Sequence, residues 1–183
     1  MPKREIQVVN IVVSTSLKHD IPLEKMAATL PNTEYNPEQF PGLVIRIKEP
    51  KTSALIFSSG KVVCTGARSM DKVEESIKKI IKSLAKIGIK ITIKPEIKIQ
   101  NIVASGSVGM DLNLNTLAMK LKNTEYEPEQ FPGLVYKLAD SEIKSTFLLF
   151  SNGKIVCTGT KSEREVQIAL DKLVVNLKKI GKK

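Results

Sequence analysis

Four short apolar segments in the first half of the chain, separated by residues that favour turns, predict the strands of an antiparallel sheet. They cover residues 6–13, 43–48, 53–57 and 61–65 and are rich in β-branched side chains. The Ser-Ser-Gly connection at residues 58–60 is short enough for a tight hairpin turn. Proline and glycine mark a longer loop before the second strand.

Two further segments of this half have helical periodicity. A short helix is expected with Asp20 as its N-cap and Pro22 in its first turn. A long helix is expected over residues 69–87, where apolar side chains recur every three or four positions and Gly88 follows as a stop signal. The second half repeats this order, and its long helix begins with the capping-box sequence Ser-Glu-Arg-Glu at residues 162–165.

The alternation of side chains along a strand divides the predicted sheet into two faces. One face is small and apolar and suits packing under the long helix; it holds Ile11, Val13, Ala54, Ile56, Val62 and Cys64. The opposite face mixes apolar, amide, hydroxyl and basic side chains; it holds Asn10, Val12, Leu55, Phe57, Lys61, Val63 and Thr65. A helix on one side leaves this second face uncovered, and a large exposed apolar patch usually marks a binding surface.

The chain contains this arrangement twice. Residues 32–44 read NTEYNPEQFPGLV and residues 123–135 read NTEYEPEQFPGLV, identical at 12 of 13 positions and 91 residues apart. Later matches are offset by 93, so the second copy has two extra residues, between about residues 48 and 54 in first-copy numbering. Two copies of this length predict one duplicated folding unit rather than a solenoid of short repeats.

We therefore predict two pseudo-symmetric repeats, residues 1–90 and 91–183. The charge-rich passage that joins them, residues 90–98, has an extended pattern and is expected to lead into a strand.

The charge of the chain favours a polyanionic partner. It has 29 Lys and Arg against 19 Asp and Glu, a net charge of +10. This excess favours nucleic acid, or less often an anionic membrane surface; a lysine-rich solubilising surface of the kind common in thermophiles is the alternative. No run of about 18 apolar residues is present, so we expect no membrane span. Cys64 and Cys157 occupy equivalent positions in strand-like segments and are expected to be reduced and buried, each within its own half.

Features typical of enzymes are missing from the sequence. The single histidine, His19, has Met110 at the equivalent position of the second copy. No cysteine cluster has the spacing of metal ligands, and no glycine-rich phosphate-binding loop is present. The sequence therefore predicts a protein that is not an enzyme and that uses no cofactor or metal.

Four of the five phenylalanines form two repeat-related pairs. Phe40 and Phe131 each lie in a proline-punctuated loop, where a core position is not expected, whereas Phe57 and Phe150 could be core residues. An apolar ring at the edge of a loop can act as a wedge that enters between base steps from the minor groove. The symmetric polar side chains able to read the acceptors of A·T base pairs there are Asn10, Asn101, Thr65 and Thr158.

Three long motifs of the second half, together with their first-half partners, resemble the TATA-box-binding protein family. They are QNIV at residues 100–103, EPEQFPGLVY at 127–136 and SNGKIVCTG at 151–159. The resemblance runs from about residue 6 to residue 181, in both repeats and in register. It implies an α+β fold in which the two repeats form a saddle of antiparallel β-sheet, with five strands per half and two helices per half on the convex side.

The resemblance also implies a role for each matching residue. The DNA-intercalating side chains would be Phe40, Phe57, Phe131 and Phe150. The base-reading side chains would be Asn10, Asn101, Thr65 and Thr158. Apolar contacts to DNA would come from Val12, Val63, Val103, Val156, Leu55 and Leu148. Phosphate contacts would come from Arg46, Lys61, Lys137 and Lys154. Glu127 and Glu129 would contact transcription factor B, with plain solvated charge as the alternative.

The implied function is that of a general transcription initiation factor. Such a protein binds the minor groove of a TATA element in double-stranded promoter DNA, kinks the DNA, and recruits transcription factor B and, through it, RNA polymerase. A non-sequence-specific architectural DNA-bending protein is the alternative, and a protein–protein adaptor is a more distant one. We expect no membrane partner and a cytoplasmic, nucleoid-associated location in an archaeal cell, or a nuclear one in a eukaryote. The sequence leaves open whether the free protein forms a homodimer.

Overall fold

The computed structural model describes residues 5–181, which form ten strands and four helices. The strands are β1 (Glu5–Ser16), β2 (Thr33–Glu34), β3 (Leu43–Ile47), β4 (Thr52–Ile56), β5 (Lys61–Ala67), β6 (Lys98–Ser107), β7 (Thr124–Glu125), β8 (Leu134–Ala139), β9 (Lys144–Leu149) and β10 (Lys154–Thr160). The helices are α1 (Leu23–Thr29), α2 (Met70–Lys86), α3 (Leu114–Lys120) and α4 (Glu163–Gly181). The outer ends of the two predicted repeats, residues 1–4 and 182–183, lie outside the described residues.

The described chain divides into two compact units. Residues 10–100 contain an antiparallel sheet with the strand order β2-β3-β4-β5-β1, together with α1 and α2. Residues 101–181 contain the order β7-β8-β9-β10-β6 with α3 and α4, and residues 5–9 of β1 belong to this second unit. The predicted fold class is confirmed as α+β, with five strands and two helices in each repeat. The packing units are therefore residues 10–100 and residues 5–9 with 101–181, and the predicted repeat boundary at residue 90 stays a prediction.

The predicted division of the first sheet into two faces is confirmed by burial. Every second residue of β4 is buried (Thr52, Ala54 and Ile56), and the same alternation in β5 buries Val62 and Cys64, after which Ala67 is the next buried residue. These side chains pack on the side of the sheet that α2 covers. The helix contributes its own buried stripe, which consists of Val73, Ile77, Ile80 and Leu84. The alternate residues of the strands lie on the face away from the helix; Ser53, Leu55, Val63 and Thr65 are half-buried, and Lys61 is exposed.

The ends of α2 follow the predicted signals. The backbone N–H of Lys72 donates to Ser69 Oγ at 3.4 Å and caps the N-terminus. Gly88 follows the last turn with φ of +87°, and the N–H of Ile89 donates to the Leu84 carbonyl at 2.9 Å. This pair of features is a Schellman-type stop that satisfies carbonyls at the helix end. In α4, the N–H of Glu165 donates to Ser162 Oγ at 3.1 Å, as the capping-box sequence predicts.

The start of α1 differs from the prediction. The helix begins at Leu23 directly after Pro22, and no side chain caps it. Asp20 is therefore not its N-cap, because the chain before the helix is held in another way: the N–H of Ile21 donates to the Ser58 carbonyl at 2.9 Å. This bond ties the loop to the β4–β5 hairpin and places Asp20 outside the first helical turn.

Both cysteines are free and buried, as predicted. Burial raises the pKa of each thiol to about 11, so both are protonated at neutral pH. Within residues 5–181, no helix combines the length and the apolar character that a membrane crossing needs.

Candidate nucleic-acid interface

The uncovered face of the first unit carries an apolar row that crosses four strands. The pairing of β1, β5, β4 and β3 sets Ser14 beside Val63, Val63 beside Leu55, and Leu55 beside Val44. All four side chains are half-buried. Cross-strand neighbours on one face pack against each other, so the three apolar side chains form a continuous strip with a hydroxyl at one end.

A second row on the same face is polar and basic. Thr65 lies opposite Ser53, and Ser53 lies opposite Arg46. Arg46 is exposed, and its guanidinium lies 3.7 Å from Glu34 Oε2. Lys61 is also exposed and begins β5 opposite Ser16, on the same side of the strand as Val63 and Thr65. Hydroxyl groups therefore lie inside the face, and positive charges lie towards its margins.

The second unit reproduces both rows with its own residues. The apolar row consists of Ser105, Val156, Leu148 and Val135. The polar row consists of Thr158, Thr146 and Lys137. Lys154 begins β10 opposite Ser107, just as Lys61 begins β5. Each repeat therefore presents the same chemistry on an equivalent sheet face.

An asparagine and a threonine are joined at a β-bulge in each unit. In the first unit, Ile11 pairs with Ala67 and Val13 with Cys64, so two residues of β5 lie opposite one residue of β1. The extra residue is Gly66, with φ of +102°. Its N–H donates to Asn10 Oδ1 at 2.6 Å, and Asn10 Nδ2 donates to Thr65 Oγ1 at 3.1 Å.

The second unit has the same bulge and the same bonds. Gly159, with φ of +95°, donates its N–H to Asn101 Oδ1 at 2.7 Å. Asn101 Nδ2 donates to Thr158 Oγ1 at 2.9 Å. The structure thus brings each predicted Asn together with the Thr of its own repeat and fixes the orientation of the amide.

Each unit carries one pair of phenylalanines in contact. The ring centroids of Phe40 and Phe57 are 5.9 Å apart with an interplanar angle of 66°. Those of Phe131 and Phe150 are 5.9 Å apart at 69°. Both are edge-to-face contacts of the kind that aromatic rings prefer. The loop rings stay accessible, since Phe40 and Phe131 are each 42% exposed.

Local backbone bonds hold these rings in place. The N–H of Phe131 donates to the Glu127 carbonyl at 3.0 Å, and the N–H of Phe150 donates to the Lys154 carbonyl at 3.0 Å. Gly133 leaves room for the pair, because a Cβ there would lie 2.7 Å from Phe131 Cε2. The Phe131 loop also carries the exposed side chains of Glu127 and Glu129.

Comparison with known proteins identifies the family. The family described as "Transcription factor TFIID (or TATA-binding protein, TBP)" matches residues 5–87 and 96–180. The chain belongs to this family. Each matched segment contains one complete copy of the face, with its own bulge, apolar row and Phe pair.

The similarity extends over almost the whole chain. A TATA-box-binding protein of Methanocaldococcus jannaschii is 52% identical over 176 residues, which cover 96% of this chain and 95% of the relative. One from Thermococcus kodakarensis is 48% identical over 181 residues, with coverage of 99% and 94%. The solved structure titled "Methanococcus jannaschii TBP" superimposes with a TM-score of 0.89 at 52% identity, over 96% of this chain and 99% of that one.

Sequence reasoning missed part of the candidate TBP-family face. Val44 and Val135 extend the apolar rows, and Ser53 and Thr146 lie between the threonine and the basic residue of each polar row. All residues of the segment Leu43–Ile47 except Arg46 are apolar, so the sequence pattern does not show which apolar residue faces outwards. Only the pairing of Val44 with Leu55 shows that Val44 lies on the uncovered face.

Proposed function

We propose that this chain is a general transcription initiation factor that binds the minor groove of TATA-element DNA through the two equivalent sheet faces. The observation that carries the proposal is the repeated set of one aromatic pair, one Asn–Thr–Gly cluster and one apolar row. TATA-binding proteins are themselves standard examples of minor-groove binding by a sheet with apolar wedges.

The apolar rows suit the walls of a minor groove. Val63, Leu55 and Val44 are half-buried in the free protein, so each still has apolar surface to lose on binding. Removing such surface from water stabilises a complex by about 25 cal/mol per Å². The deoxyribose rings of an opened minor groove offer a matching apolar surface. The energy gained in this way offsets the cost of deforming the duplex, which is on the order of several kcal/mol.

The Asn–Thr clusters suit A·T pairs. In the minor groove, an A·T pair presents only the acceptors adenine N3 and thymine O2, whichever strand carries the adenine. Asn10 and Asn101 present amide N–H donors, and Thr65 and Thr158 present hydroxyl groups. A G·C pair adds the guanine N2 amino donor, from which the N–H groups of the Asn amides cannot accept.

The aromatic pairs supply the wedges. A wedge must project an apolar ring without collapsing into its own core, and the edge-to-face contact supports the exposed ring from the side. Phe40 with Phe57, and Phe131 with Phe150, would each unstack one base step and kink the duplex.

Basic side chains at the margins would contact phosphates. Lys61, Lys137 and Lys154 are exposed, and Arg46 keeps most of its guanidinium exposed beside Glu34. Four such contacts predict that log K falls with log salt concentration with a slope of about −3 to −4.

The Phe131 loop would recruit transcription factor B, and factor B would recruit RNA polymerase. Its Glu127 and Glu129 side chains are exposed next to a ring that would sit in the DNA. A partner with basic residues could therefore read this loop and the bent duplex together. The equivalent first-repeat position is Asn36, which gives the partner a basis for choosing one loop over the other.

The first experiment is end-to-end fluorescence energy transfer on a duplex that contains a TATA element, titrated with the protein. A G·C-rich duplex at the same salt concentration is the control. A large, saturable gain in transfer on the TATA duplex alone is the expected result. Equal gains on both duplexes would favour a non-specific architectural protein instead. No change on either duplex would favour a surface for other proteins, including a second copy of this chain.

A further inference from the structure

The amide of each reader asparagine has only one orientation. A backbone N–H is always a donor, so the side-chain atom that faces Gly66 N at 2.6 Å must be the Asn10 oxygen. The same holds for Asn101, whose oxygen faces Gly159 N at 2.7 Å. With the oxygen engaged, Nδ2 is the group left to act, and it donates to the neighbouring threonine in each repeat. In the first repeat the Thr65 hydroxyl also lies 3.2 Å from Asn10 Oδ1 and can donate to it.

The glycine N–H is available because of the bulge. In each unit two residues lie opposite one residue of the partner strand, β1 or β6, and the glycine is the extra residue. It adopts a positive φ that residues other than glycine rarely adopt. The bulge therefore does more than bend the strand, because it aims a backbone N–H at the asparagine oxygen.

We propose that Gly66 and Gly159 are specificity-determining positioning residues, which hold the asparagine amides so that donors, and not acceptors, face the DNA. This inference rests on the proposed function. A donor-only amide matches adenine N3 and thymine O2 and opposes the guanine N2 amino group. An amide released from the glycine can turn by 180° about its last bond and accept from that amino group, so discrimination between the base pairs would fall.

Gly159 is the better of the two positions for a test. A Cβ at Gly159 would lie 3.6 Å from its nearest neighbour, Ser145 Cα, whereas one at Gly66 would lie 3.3 Å from the Lys51 carbonyl oxygen. Cys157 is only two residues earlier, so a synthetic peptide of residues 157–183 can be joined to residues 1–156 by native chemical ligation. This route allows an ester in place of the amide between Thr158 and residue 159, which replaces the N–H by an oxygen atom and, as a secondary effect, makes the Thr158 carbonyl a weaker acceptor.

The measurement compares binding to three duplexes. The first contains the TATA element. In the second every A·T pair of the element is replaced by hypoxanthine·cytosine, which keeps a minor groove without the amino group. In the third every adenine is 2-aminoadenine, which adds the amino donor to A·T. The semisynthetic all-amide protein is the matched control, and thermal unfolding checks that both proteins are folded.

The all-amide protein should bind the first two duplexes similarly and the third much more weakly. The penalty for the amino group is the ratio of the dissociation constants for the third and first duplexes. In the ester protein we expect this ratio to fall about tenfold, because leaving one buried donor unpaired weakens binding by about that factor. The comparison is between the penalties of the two proteins, so an equal loss of affinity for all three duplexes leaves the result unchanged. An unchanged penalty in a folded ester protein would overturn the positioning role.

A second variant covers the case in which the ester protein does not fold. Gly159→Ala keeps the N–H but strains the positive-φ backbone that aims it. We expect a reduced penalty here too, and a full penalty would overturn the inference. If the all-amide protein itself showed no preference against the amino group, the proposed TATA-selective function would fail instead, and that outcome is distinct from the others.

Discussion

The two repeats agree closely on the uncovered faces and diverge in the hairpins and core behind them. On the faces, the Phe pairs have the same centroid separation of 5.9 Å, and the Asn–Gly bonds measure 2.6 and 2.7 Å. Behind the faces, the buried hydroxyl of Thr52 bonds to Ser76 Oγ at 2.7 Å. Its counterpart, Ser145 Oγ, is buried and has no such oxygen partner within the described part of the chain; the side chain that it interacts with is the Cys157 thiol.

The hairpins differ in a related way. The β8–β9 hairpin accommodates the two extra residues of the second repeat by lengthening each strand by one residue, which adds the pair Ala139 and Lys144. Its turn is held by Asp140, which accepts from the N–H groups of Glu142 and Ile143 and pairs with Lys172 of α4. Geometry is therefore preserved where both repeats would meet the same ligand, and it varies where each repeat only has to fold.

The aromatic pairs give the most severe test of this equivalence. Phe57→Ala and Phe150→Ala should each weaken binding to the TATA duplex on the order of 10- to 100-fold, because each removes a stacking contact worth about 1–3 kcal/mol. Each should also reduce the bend. Energy-transfer titrations of the two variants in parallel measure both effects. Equal losses would support equal use of the repeats, whereas an unchanged bend in Phe150→Ala would contradict the wedge role of that ring.

The loops that carry the exposed rings test where the repeats should cease to be equivalent. Reversing charge with Glu127→Lys and Glu129→Lys should weaken recruitment of transcription factor B about tenfold or more, because a partner with basic residues would be repelled. DNA binding should be retained. The matched control is Asn36→Lys with Glu38→Lys, which adds positive charge to the first loop and should leave recruitment intact. Gel-shift titration of the ternary complex measures recruitment in both variants. Unchanged recruitment in the second-loop variant would show that Glu127 and Glu129 do not contact factor B.

Much of the candidate face was predictable, because burial on one side imposes a period of two on β4 and β5. The bulge was not predictable, since Gly66 acquires its role only from the register between β5 and β1, more than 50 residues earlier in the chain. The tie between Asp140 and Lys172 was equally hidden, because it joins a turn to a helix 32 residues later. The predicted N-cap at Asp20 is wrong for the same reason. The local sequence favours a cap there, but the hydrogen bond from Ile21 to the distant Ser58 carbonyl holds the chain in another conformation.

The buried hydroxyls test the divergence of the two cores. Thr52→Val should lower the free energy of unfolding by about 1 kcal/mol, because it removes a hydroxyl that bonds to Ser76 at nearly constant volume. Ser145→Ala removes a hydroxyl whose side-chain neighbour is the weakly hydrogen-bonding Cys157 thiol, so it should change stability by less than about 0.5 kcal/mol or increase it. Urea unfolding of both variants decides the matter, and a larger loss from Ser145→Ala than from Thr52→Val would contradict the difference between the cores.

The smallest expected effect comes from the turn of the second hairpin. Hydrogen bonds from Lys172 and from the N–H groups of Glu142 and Ile143 lower the pKa of Asp140 from 3.8 to about 2. A carboxylate whose pKa is lower in the folded state stabilises the fold above its unfolded pKa, and this contribution is lost as pH falls from about 4 to about 2. Because the pair is exposed, Asp140→Asn should lower the melting temperature at pH 7 by only about 1–2 °C. The difference from the wild type should shrink steadily as pH falls from about 4 through about 2, and a difference that did not depend on pH would assign the effect to the turn geometry instead of the charge.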